Sequence, residues 1–211
     1  MTVARQKNQT ARRKQLVDAT TRAIAAKGLA NLYMKDIAEE AAISERLVSY
    51  YYKNLDDLIS AAHREAVDRY YWSRLKAITE LDQPAEMLRR LISTGLPDGP
   101  DDAVSRVLYE LSVSAGRHPD HSTIMSELFD LEVSLYQRVL DSGVADGHFT
   151  LRMEAVTLAR TFVALEDAYG LHILARSSTL TRELATEIMT DYAEDATGAG
   201  IGSEAPPAEH L

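Results

Sequence analysis

Along nearly every long segment of the chain, apolar residues recur at the three-to-four-residue spacing of a helix, while the alternation of a half-buried strand is almost absent. The expected fold is therefore all-α, with a core made by helix packed on helix. Local stops and starts divide the pattern. A first helix is expected from Thr10 to Lys27, with Leu16, Ala19, Ala23 and Ala26 on one face and Gly28 ending it. "MKDIAEEAA" reads as a short second helix with Ile37, Ala38 and Ala41 inward, and Ser44 as the N-cap of a third, "ERLVSYYY". A fourth begins at Leu55 after Asn54, with Leu58, Ile59, Ala62, Ala66 and Tyr70 on one stripe.

Further on, Pro84 suits a helix start and "GLPDGPDD" a break. The sixth helix carries Val104, Val107, Leu108 and Leu111 and ends at Gly116; the seventh, after "RHPDHS", carries Ile124, Leu128, Leu131, Leu135 and Val139. "DSGVADGHFT" reads as a loop. The eighth helix, from about Leu151 to Ala175, is apolar on two faces and so needs two sets of partners. A ninth spans Thr181 to Ala196, and residues 198–211 are expected to form a disordered tail.

The net charge of −9 argues against a polyanionic partner until its distribution is considered. Residues 1–53 hold ten Lys/Arg against five acids, so a head of +5 precedes a remainder of −14. Such a chain can present one end to nucleic acid while its bulk is repelled, although a basic terminus can also be a solubilising end. The absence of cysteine excludes disulfides, cysteine nucleophiles and thiolate metal sites. With no apolar signal segment near the start and no run of about 18 uncharged apolar residues, a cytoplasmic protein with no membrane span is expected.

The densest information lies in "MKDIAEEAAISERLVSYYYKN". Small Ala41 and Ala42 allow two short helices to meet across the turn "AIS", and Ile37, Ile43 and Val48 can close a small core. This is the layout of a helix-turn-helix, whose second helix enters the major groove, although ordinary bundles contain similar pairs. Three successive tyrosines on a helix cannot share one face, because neighbouring side chains point about 100° apart.

Residues from about Thr10 to Ala62 resemble the DNA-binding domain of the tetracycline-repressor (TetR) family. The family's glycine-terminated first helix appears as Gly28, its "[VM]-[KR]-D-I-A" helix as Met34 to Ala38, its "A-G-V-S" turn as "AAIS", and its aromatic run and basic link as "VSYYY" and "KNLDDLI". The chain departs from the pattern at Tyr33, Ala42, Leu47 and Ser49; Ala42 fits in place of the turn glycine provided the backbone there is not left-handed. The resemblance implies that Tyr52 is buried, that Tyr51 meets a phosphate, and that Tyr50 faces bases beside Arg46. Ser44 and Ser49 are further DNA contacts in this reading, Lys35 and Lys53 are phosphate charges, and "RRK" at 12–14 reaches the backbone or minor groove. It divides the chain into a DNA-binding domain, 1–54, and a helical effector-binding and dimerisation domain, 55–197.

A near-palindromic duplex operator, a homodimer and a small-molecule effector are the partners so implied. Val156, Ala159, Val163 and Gly170 of the eighth helix are the expected dimer contacts, the alternative being that both its faces pack within one subunit. Expected effector-lining residues are Trp72, Tyr109, Phe129, Glu132, Tyr136, Phe162, Glu166 and Tyr169, with His172 as a further polar anchor; each aromatic has core packing as its alternative. Glu166 interrupts an apolar helix and needs a partner if buried. Aromatics with carboxylates suit an organic cation such as choline or a drug. His118 and His121 in "HPDH" read as surface loop rather than metal ligands, and no nucleophile elbow, phosphate loop or glycine fingerprint occurs, so neither an enzyme nor a resident cofactor is expected. The resulting expectation is a repressor released by its effector. An activator of the same fold, or a binding module that no longer reads DNA, are the alternatives.

Overall fold

A computed structural model describes residues 3–201, with side chains from residue 7 onward. Among the described residues the regular elements are all helical, as expected: α1 (Val3–Lys27), α2 (Met34–Glu40), α3 (Glu45–Tyr51), α4 (Leu55–Thr79), α5 (Pro84–Gly95), α6 (Ala103–Ala115), α7 (Pro119–Ala145), α8 (Ala155–Leu174) and α9 (Arg182–Thr197), with a single 3-10 turn at Leu29–Asn31. The chain forms two compact units, Met1–Tyr71 with Asp101–Leu128, and Trp72–Pro100 with Phe129–Leu211. These cuts differ from the 54/55 division drawn from the sequence: the start of α4 and all of α6 share the first unit with α1 to α3.

In the first unit Leu16, Ala19, Ala23 and Ile24 of α1 meet Ile37 and Ala38 of α2, Val48 of α3, Leu58 and Ala62 of α4, and Val107 and Leu111 of α6. Each fully buried Leu, Ile or Val side chain contributes about 1.5–3 kcal/mol. Local signals fix the ends. The Ser44 hydroxyl accepts from the Leu47 N–H at 3.3 Å, and the Asn54 side chain accepts from the Asp57 N–H at 2.7 Å. The Asp36 carboxylate accepts from the Tyr33 N–H (2.8 Å) and from Lys27 (2.7 Å), and these bonds hold its carboxyl below the ordinary range. Gly28, at φ 74°, leaves room for Glu110 of α6, whose carboxylate accepts the Leu29 N–H at 3.3 Å.

In the second unit α5, α8 and α9 pack on one another around Leu88, Leu91, Ile92, Leu158, Phe162, Val163 and Met189. Two expectations fail here. The segment 141–145, read as loop, completes α7, because Gly143 gives Phe149 a place to lie against the helix: a Cβ at Gly143 would fall 2.1 Å from the ring. The start of the expected disordered tail is anchored. Ile201 is fully buried, its carbonyl accepts from Arg89 Nε at 2.7 Å, and its N–H donates to Glu194 at 2.8 Å. The rest of that expected tail, 202–211, lies outside the described residues.

Candidate functional site

Only a seven-residue helix, α3, separates the turn at Ala42 from the link at Lys53, yet its faces are sharply divided. Val48 is sealed against the core and Tyr52, at the C-cap, is also buried. At 100° per residue, Arg46, Ser49 and Tyr50 fall within about 100° of one another on the opposite side. All three are exposed, Tyr50 by 67%. Tyr51 is half-buried and meets the Tyr50 ring edge-on, with centroids 5.1 Å apart and planes at 87°. The three tyrosines thus take an outward, an intermediate and an inward position.

Basic side chains around this face sort by what they already hold. Lys14 is paired with Glu65 (3.0 Å), Arg22 with Glu40 (2.6 Å), Lys27 with Asp36 (2.7 Å) and Arg69 with Asp18 (2.9 Å). Arg13 lies over the Tyr52 ring at 5.1 Å and Arg12 donates to Gln15 at 2.6 Å, so the "RRK" run expected to reach DNA is engaged within the protein. Arg46 and Lys53 are exposed and form no ion pair among the described residues. Lys35, also exposed, sits 5.4 Å over the ring of Tyr33, itself 58% exposed. Arg46 on α3 and Lys53 just after it are therefore the cations of residues 42–53 left without an internal partner among the described residues. One departure is strained: Ala42 has φ 53°, so the backbone is left-handed where a side chain costs about 1–2 kcal/mol.

The second unit holds a different kind of site. Arg74, fully buried on α4, donates to Glu166 twice (2.9 and 2.6 Å), to Glu132 (2.9 Å) and to the Leu91 carbonyl (3.1 Å). The Tyr136 hydroxyl donates to Glu166, and the Tyr136 ring stacks on Phe162 at 4.9 Å. Phe162 in turn meets Tyr192 edge-on at 5.5 Å. Gly95 makes the arrangement possible, since a Cβ there would lie 1.7 Å from a Glu166 oxygen. Burial pushes the Glu166 carboxyl above its ordinary range, while Arg74 and the Tyr136 hydroxyl pull it back.

Of the expected effector-lining residues, Glu132, Tyr136, Phe162 and Glu166 are brought together. Trp72 is not: it is 60% exposed, because Arg74, two residues on, takes the inward direction. Phe129 is 36% exposed, His172 is exposed, Tyr169 is half-buried, and Tyr109 belongs to the first unit. Of the expected dimer contacts, three lie inside the chain. Ala159, Val163 and Gly170 are covered within one chain because α5 and α9 occupy that stripe, and only Val156 keeps partial exposure.

Sequence reasoning missed a further pair. His121, read as surface loop, lies on α7 and is buried; its Nδ1 is 3.1 Å from Nδ1 of fully buried His63, whose Nε2 is 3.2 Å from Met125 Sδ. The Met125 thioether suits a donor at Nε2, which leaves Nδ1 of His63 to accept from His121. Burial pushes His63 down to about 4. Among the described residues no group of three or more His, Asp or Glu is placed to hold a metal ion, and no helix is long and apolar enough to cross a membrane.

Comparison with known proteins bears on the first unit most directly. The family described as bacterial regulatory proteins, tetR family, matches residues 16–62. The chain is 24% identical over 189 residues to the HTH-type transcriptional regulator BetI of Serratia proteamaculans, covering 86% of this chain and 90% of that one. It is 24% identical over 168 residues to an HTH-type transcriptional regulator, YfiR, of Bacillus subtilis, covering 74% and 77%. In fold it is similar to a putative transcriptional regulator from Saccharomonospora viridis in complex with choline (TM-score 0.83, 21% identity, 89% of this chain and 98% of that one). It is also similar to a TetR transcription regulator from Haloarcula marismortui (TM-score 0.80, 23% identity, 89% and 99%).

Proposed function

We propose that the chain is a helix-turn-helix transcriptional regulator of the TetR family, a cytoplasmic repressor that grips a near-palindromic operator as a homodimer and releases it when a small molecule binds. The observation that carries the DNA reading is the outward arc of Arg46, Ser49 and Tyr50, with exposed Lys53 just beyond the helix, while Lys14, Arg22 and Lys27 are held in ion pairs within the protein; Lys35 joins Lys53 as a phosphate charge in this reading. Tyr51 and Ser44 complete the interface as backbone contacts, Ser44 through the helix end that it caps.

For the dimer, the supporting surface is the exposed side of α8 and α9, where Leu171 (52%), Leu184 (38%) and Ile188 (38%) accompany exposed Ala164 and Ala168. Small residues at i and i+4 permit close helix approach. For the effector, the neighbour from Saccharomonospora viridis binds choline. The Tyr136, Phe162 and Tyr192 rings grouped beside the Arg74 cluster suit a compact organic cation of that kind. Occupation of the body would favour a state whose two recognition helices no longer match half-sites about 34 Å apart.

Selection of binding sites from random duplex DNA tests the central reading. Enrichment of a two-fold-related sequence is expected, and a failure to enrich any duplex would defeat it. Adding choline to the selected complex is expected to release the DNA.

A further inference from the structure

We infer that the outward face of α3 reads a thymine through its 5-methyl group with Tyr50, one or two base pairs from a guanine held by Arg46. This rests on the reading of α3 as the groove-entering helix. Geometry then restricts what the face can recognise. Arg46 and Tyr50 are four residues apart, so they share a side of the helix and are separated by about 6 Å of rise. Base pairs follow one another every 3.4 Å or so along the duplex, which puts the two contacts within two steps.

The chemistry of each side chain assigns its base. The Arg46 guanidinium is exposed and makes no ion pair among the described residues, so its paired N–H donors are available to guanine O6 and N7 in the major groove. Tyr50 offers a different surface. Its ring is 67% exposed, and the edge-on Tyr51 ring at 5.1 Å limits how it can turn. An aromatic ring held outward on a helix in the major groove meets one apolar group on the base edges there, the methyl of thymine. Ser49, on the same arc, is too short to compete for that contact. Exposed Lys53, just beyond the helix, matches the phosphates that border the groove.

The full-length protein and duplexes recovered by random-site selection provide the test. Each thymine of the half-site is replaced singly by deoxyuridine, which deletes the methyl and leaves base pairing intact. One substitution per half-site is expected to weaken binding about fourfold, the worth of about 0.8 kcal/mol for one buried methyl-sized group. With Tyr50→Ala, thymine and uracil duplexes should bind alike at that position, and Tyr50→Phe should restore the difference because the ring is kept. Replacing a guanine within two base pairs by 7-deazaguanine should weaken the wild type but not Arg46→Ala. Equal binding to all uracil duplexes, persistence of the difference in Tyr50→Ala, or a sensitive guanine lying farther away would each overturn the inference while leaving DNA recognition in place. If selection enriches nothing, the regulatory reading and this inference fall together.

Discussion

Helices α4 and α7 are tied together by buried polar groups in each of the two units, and the two ties solve the same problem oppositely. In the first unit His63 meets His121; in the second Arg74 meets Glu132, with Glu166 added from α8. Both pairs link residues 58 positions apart. Among the described residues neither histidine forms an ion pair, and burial drives both toward the neutral form, with Asp120 and Asp56 opposing the shift at His121. Arginine cannot shed its proton, so its site keeps charge and surrounds the guanidinium with acceptors. Burial thus removes charge where the group can titrate, and recruits partners where it cannot.

The strongest way to break this contrast is Arg74→Ala, which leaves two carboxylates buried without their cation. A loss of about 3–5 kcal/mol is expected in urea unfolding; a loss below about 1 kcal/mol would mean that the cluster is solvated and the contrast false. Acid titration comes next, because the two ties should respond with opposite sign. The folded His63 value of about 4 lies below its unfolded value near 6.5, so the unfolded chain takes up the proton first as pH falls. Stability in the first unit should drop between pH 6.5 and 4 by no more than about 3 kcal/mol. Glu166 is shifted upward, so its contribution declines as pH rises above the unfolded carboxyl value and recovers on acidification. Hydrogen exchange followed separately for α4 residues 58–66 and for α8 should show the two slopes, and parallel slopes would refute the assignment.

A smaller effect sharpens the comparison. Replacing both histidines by leucine removes donor and acceptor together and should change stability at pH 7 by no more than about 1 kcal/mol, while abolishing the acid slope of the first unit. The smallest expected change is a gain. Ala42→Gly relieves the left-handed backbone at φ 53° but adds freedom to the unfolded chain, for a net of about 0.5 kcal/mol in thermal unfolding.

Much of the architecture was legible because its signals are local. Gly28, Ser44, Asn54, Pro84 and Thr181 each mark a boundary within a few residues, and the structure uses all five. The outward face of α3 was legible in two steps: helical spacing groups Val48 with Tyr52 and Arg46 with Tyr50, and the family resemblance says which pair faces out. What could not be read was long-range pairing. Arg74 between Trp72 and Lys76 looks like a solvated charge, and its partners lie 58 and 92 residues away. The sequence did carry half of that message, since Glu166 in an apolar helix demanded a partner without naming it. Two apolar faces on α8 likewise announced two sets of neighbours, but not that α5 and α9 of the same chain would cover Ala159, Val163 and Gly170.

The anchoring of Ile201 has a practical side for anyone handling the protein. A shortened gene that stops at residue 200 would delete a side chain sealed in the second unit, strip Arg89 of its carbonyl acceptor and free the Glu194 carboxylate from a backbone N–H. Affinity handles and fluorescent fusions therefore belong beyond that position, where the spliced sequence begins after the last of these contacts has been made.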